Sequence, residues 1–125
     1  MAMTPGQRAE FSYRVTAADT AAQLGSGDVA VLGTPRVLAL MERATVQAVA
    51  RSLEPGETSV GVSVHLEHLA ASPVGATVDV EAVVQERTGR RITCTARMSA
   101  GERTLATANI VRVVVNRATF EAGTG

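Results

Sequence analysis

Glu42 sits near the middle of the segment GTPRVLALMERA, residues 33–44, among Val37, Leu38, Leu40 and Met41. On a helix its neighbours three and four residues away are Leu38, Ala39, Thr45 and Val46, so no basic side chain shares its face. A carboxylate buried without a partner is costly and titrates high. That suits a general base or acid, or an anchor for a catalytic partner. The alternative is a place on a narrow solvated strip of the helix.

Thr34 and His68 are the other candidates. Thr34 opens the same segment. A threonine there caps a helix, and its hydroxyl beside free backbone amides can also meet an anion or a developing oxyanion. His68 ends an alternating run in which Val60, Val62, Val64, Leu66 and His68 share one strand face, and Ser59, Gly61, Ser63, His65 and Glu67 the other. The alternation aims His68 at the helix side and His65 at solvent or a partner subunit, unless a bulge reverses it. A lone histidine on an apolar face is also an ordinary core residue. Eight residues separate Thr34 from Glu42, about 12 Å of helix rise, so a water, a substrate or a histidine has to connect them.

Other side chains offer less. Two histidines without a carboxylate or cysteine at ligand spacing make a poor zinc site, and no metal is expected. Cys94 shares parity with Ile92, Ala96 and Met98 and reads as a small core residue. Arg87, Arg90, Arg91, Arg97 and Arg103 gather near two turns. They suit either phosphates of a large ligand or a charged sheet edge that resists aggregation. The glycines form no phosphate-binding loop.

The elements that carry these residues follow from the pattern. Phe11, Tyr13 and Val15 alternate, predicting a strand over about residues 10–16, and residues 17–33 read as a loop with one helical turn broken by Gly25, Ser26 and Gly27. Thr34 as N-cap and Pro35 at the first helical position begin a helix that runs to Ala50 or Leu53, where LEPGE stops it. Leu38, Val46 and Ala50 widen its apolar stripe, so it is expected to be wrapped by other structure. After Gly56 four β-rich runs follow, separated by Ser-Pro, Thr-Gly and Ala-Gly. The short gaps at Thr88-Gly89 and Ala100-Gly101 predict hairpins and a mostly antiparallel sheet. The fold class is α+β, a sheet wrapped round one helix; residues 121–125 are expected to fray.

A chain of 125 residues, 46% hydrophobic, fits one domain over 1–125. Zero net charge with twelve scattered arginines argues against nucleic acid as a partner. No run is long enough to span a membrane, and a single cysteine makes no internal disulfide, so a reducing cytoplasm is the expected compartment. Lysine is absent, which excludes a Schiff-base lysine. With few aromatics, the core is built from Val, Leu, Ile, Ala and Met, and pairing into a homodimer, or a higher assembly, is expected to complete it.

Thr34, Glu42 and His68, with LALME on the helix, LEPGE after it, and the Gly61–His68 strand leading into AASPVG, resemble the hotdog-fold acyl-CoA thioesterases, especially the fluoroacetyl-CoA thioesterase branch. The resemblance covers roughly residues 31–117. It implies a long helix wrapped by a curved antiparallel sheet, paired subunits with active sites at their interface, and hydrolysis of an acyl-CoA without a cofactor. Thr34 would be nucleophile or water-orienting hydroxyl, His68 general base and acid, and Glu42 would orient the histidine or activate water. Gly61 would lie near the thioester carbonyl, and Arg112 would match an arginine of the last strand. The segment AAQLGSGDVAVLG departs from the branch, being short and free of the aromatic residues of its lid. Thr34-Pro35-Arg36 departs too, where glycine and an apolar residue are usual, and Arg36 is expected either to alter the pocket mouth or to meet the ligand's phosphates. A non-catalytic acyl-CoA or small-ligand binding module of the same fold is the alternative function.

Overall fold

The computed structural model describes residues 7–124. The part of the polar N-terminal stretch up to residue 6 lies outside them. Strand β1 spans Arg8–Arg14, two residues earlier than its pattern predicts. A 3-10 turn at Ala17–Asp19 and the short helix α1, Ala21–Leu24, occupy the expected loop, and Gly25 closes α1 at φ +78. Helix α2 then runs from Thr34 to Ala50. Strands β2 (Glu57–His68), β3 (Thr77–Thr88), β4 (Arg91–Ala100) and β5 (Arg103–Asn116) follow, and helix α3, Arg117–Thr124, ends the described chain.

Pairing is antiparallel throughout, in the order β1-β3-β4-β5-β2, which leaves β2 at an edge. The two hairpins turn at Gly89 and Gly101, both at φ +61, a conformation that favours glycine. The curved sheet wraps α2, as the hotdog layout requires. Val37, Leu40, Met41, Ala44, Ala48 and Val49 of α2 meet Val78, Val80, Ala82 and Val84 of β3, Ile92, Cys94 and Met98 of β4, and Ile110 of β5 in one core. Each fully buried valine, leucine or methionine there contributes about 1.5–3 kcal/mol. The wrapping is incomplete in a single chain: Val46 is 44% exposed and Ala50 lies in solvent.

Three expectations need correction. Gly33, not Thr34, is the N-cap of α2; Thr34 is the first helical residue and Pro35 the second. A Cβ at Gly33 would lie 3.0 Å from Ala21 Cα, so a side chain here would crowd the backbone of α1. The tail does not fray at Glu121 but continues α3 to Thr124, begun by Asn116, whose Oδ1 accepts from Thr119 N–H at 3.0 Å. Strand β2 does not alternate uniformly. The β2–β5 register pairs Gly61 with Arg112 and Ser63 with Val111, leaving Val62 as an extra residue, a β-bulge.

Candidate active site

The bulge decides which residues of β2 meet α2. Beyond it the strand keeps the expected parity: His68 faces the helix, where Thr34 Oγ1 and His68 Nδ1 share a hydrogen bond of 2.8 Å. Before it the parity is reversed, so Gly61 also faces α2, contrary to the uniform alternation. His65 is exposed, as expected. In the tautomer that carries its proton on Nε2, His68 Nδ1 accepts from the threonine hydroxyl. That is the relation of a hydroxyl to the base that can deprotonate it. Thr34 is exposed and His68 half-buried, so the pair is open to a ligand, and a recess of about 250 Å³ lined by His68, Leu69, Ala70 and Ala71 opens beside it.

Glu42 is neither unpaired nor deeply buried. Its side chain is 36% exposed, and Oε2 lies 3.4 Å from Arg112 Nη1. The cation comes from β5, seventy residues away, where helix spacing rules do not reach. The carboxylate packs on Gly61: a Cβ there would overlap Glu42 Oε2. Arg112 is 5% exposed and donates from Nε to Ser59 Oγ and from Nη2 to the Ser59 carbonyl, each at 2.9 Å. Burial pulls its pKa down while Glu42 and Cys94 push it up, the net being a lowering. Such a guanidinium depends on every partner it has.

Arg36 points back into the protein, its Nε 2.9 Å from Asp19 Oδ1. Asp19, 2% exposed, also accepts from Tyr13 O–H at 2.8 and 2.9 Å, from Thr16 N–H at 2.7 Å and from Thr16 Oγ1 at 2.9 Å. Burial pushes its pKa up, but the hydrogen bonds from Thr16 and Tyr13 and the Arg36 charge outweigh this and hold the carboxyl below its ordinary value. Sequence reasoning missed Asp19 and Ser59 as parts of the site's support. The Thr16-to-Asp19 spacing, that of a capping box, is the signal that marks Asp19. Cys94 is fully buried and its thiol pKa is pushed up to about 11 by burial, as befits a core residue. No group of three or more His, Cys, Asp or Glu side chains among the described residues could hold a metal ion.

The sequence pattern of the fluoroacetyl-CoA-specific thioesterase family matches residues 15–118, from the residue after β1 into α3. The chain belongs to this family. It is a thioesterase, a hydrolase, with a hotdog fold. The thioesterase is 36% identical over 92 residues to the fluoroacetyl-CoA thioesterase of Streptantibioticus cattleyicolor, a match spanning 74% of this chain and 66% of that protein. The solved structure of the fluoroacetyl-CoA thioesterase FlK superposes with a TM-score of 0.91 at 30% identity, covering 99% of this chain and 96% of the other. A hypothetical protein of Thermus thermophilus, a thioesterase superfamily member, superposes with a TM-score of 0.89 at 26% identity, covering 97% and 90%. No helix among the described residues is long and apolar enough to cross a membrane.

Proposed function

We propose that this thioesterase hydrolyses an acyl-CoA thioester to the free acid and CoA, without a metal or redox cofactor, at sites formed where two copies of the chain meet. The observation that carries the reading is the 2.8 Å hydrogen bond between Thr34 Oγ1 and His68 Nδ1. His68 takes the hydroxyl proton as Thr34 Oγ1 bonds to the thioester carbon. The C–S bond breaks and His68 gives the proton to the departing CoA sulfur. Water then attacks the acyl-threonine and loses a proton to a carboxylate or the histidine; the acyl C–Oγ1 bond breaks, the proton passes to Thr34 Oγ1, and the acid is released. The positive end of α2 lies beside the developing oxyanion.

Thr34 and Glu42 are about 12 Å apart along α2, and Glu42 rests on Gly61 and Arg112. A second copy laid on this surface supplies what one chain keeps at a distance. The free edge of β2, with Val62 51% and Val64 38% exposed, and Val46 of α2 give such a copy an apolar surface. Each site then combines Thr34 and His68 of one protomer with the partner's Glu42. Arg36, two residues beyond Thr34, is turned back onto Asp19. The segment before α2 has no aromatic residue, so selectivity for a fluorinated acyl group is not expected. A lone buried thiol suits the cytoplasm.

Purified protein should release free thiol from a panel of acyl-CoAs; binding without thiol release would instead mark a ligand-binding module. Co-expressed Thr34→Ala and Glu42→Gln chains should recover roughly a quarter of wild-type activity, because half the twofold dimers carry one intact site. Mixtures no more active than the parents would place all three residues of a working site in one chain.

A further inference from the structure

Two contacts from one residue straddle Thr34. The main-chain carbonyl of Asp19 accepts from Gly33 N–H at 2.9 Å, one residue before the threonine, and its carboxylate pairs with Arg36 Nε at 2.9 Å, two residues after it. Asp19 is in turn fixed by Tyr13 on β1 and Thr16 at the start of the 3-10 turn. Leu32 N–H donates to the Ser72 carbonyl at 2.9 Å and Val31 bridges to Pro73, so the run into Thr34 is tied to the chain just after His68. Thr34 itself is exposed, and His68 is the hydrogen-bond partner of its hydroxyl. Its place therefore depends on what holds the residues to either side.

We propose that Asp19 is a positioning residue for the hydrolytic site: by gripping both Gly33 and Arg36 it sets the first turn of α2 so that the Thr34 hydroxyl meets His68 Nδ1. The inference rests on Thr34 and His68 being the catalytic pair. A neutral side chain would satisfy Thr16 and Tyr13 nearly as well, but only a carboxylate also holds the Arg36 guanidinium, whose Nε makes no hydrogen bond among the described residues and is held by charge alone. The ion pair absent from the Thr34-Pro35-Arg36 motif as a sequence is thus explained by a partner seventeen residues upstream.

The protein has two histidines, and ring ¹⁵N spectra distinguish His68 from the exposed His65, which serves as an internal control. Thr34→Val supplies the reference for loss of the 2.8 Å hydrogen bond. Asp19→Asn and, from the half-exposed side of the same pair, Arg36→Gln should each move the His68 resonances toward the Thr34→Val position and leave His65 in place. In acyl-CoA turnover both should lower kcat about tenfold, as a small misplacement of reacting groups does, with KM changed less than twofold. His68 resonances unmoved in both folded variants would overturn the proposal, as would a raised KM at wild-type kcat. Should wild-type protein cleave no acyl-CoA, the proposed activity fails, while the imidazole spectra still decide the positioning role.

Discussion

The two proposed stations of chemistry along α2 are held by opposite means. At the N-terminal end Thr34 is placed by added bonds: a buried carboxylate, an arginine and a run of backbone contacts on either side of it. Near the middle Glu42 is placed by a missing atom, since the carboxylate rests where any side chain on Gly61 would stand. Arg112 then secures the carboxylate by charge. The first arrangement is sensitive to chemistry, because removing one polar partner loosens it. The second is sensitive to volume, because adding one methyl displaces it.

The largest effect should come from the proposed reacting pair, Thr34 and His68. Thr34→Ala and His68→Ala should each lower kcat for thiol release by about 10²–10⁴-fold while thermal unfolding changes little, as Thr34 is exposed. A loss of fold in either variant would mean that this end of the helix serves the core. Next is Gly61→Ala, expected to lower kcat about 10²-fold by moving Glu42, as Glu42→Gln should. Wild-type turnover in Gly61→Ala would show that the carboxylate is not held by fit. Arg112→Ala should act on stability as well as rate, costing about 2–4 kcal/mol in urea unfolding, because Ser59 and Glu42 lose a shared buried donor. The smallest effect should be the acid limb of Asp19. Its folded pKa lies below the unfolded value, so it stabilises the fold fully above the unfolded pKa and loses that contribution as pH falls through the folded one. The stability difference between wild type and Asp19→Asn should be level from about pH 5 to 8 and shrink below about pH 4. A difference that grows toward acid would reverse the sign assigned to this group.

Most of the fold was legible because its signals are local. Thr34-Pro35 and LEPGE bracket α2, and the glycine turns at 89 and 101 define two hairpins. The candidate triad was legible as residue types at a spacing, but parity only aimed His68 at the helix side; that its partner there is the Thr34 hydroxyl comes from the folded chain. What stayed hidden depends on distance in sequence. The Glu42–Arg112 and Asp19–Arg36 pairs are joined only by the folded sheet and loop. The continuation of α3 was hidden because RATFEAGT is short and holds one large apolar residue, Phe120, and its start lies in the Asn116 side chain. The bulge at Val62 had no sequence mark beyond the neighbouring Gly61.

That bulge has an arithmetic consequence. Gly61 and His68 are seven positions apart, an odd number, and on a regular strand odd separations point to opposite sides. Val62 makes seven count as six. A relative with six positions and no bulge would therefore be this enzyme's equal in geometry, although an alignment would show a deletion beside its active site. A relative that kept seven positions but straightened the strand would preserve every residue and turn one of the two away from α2.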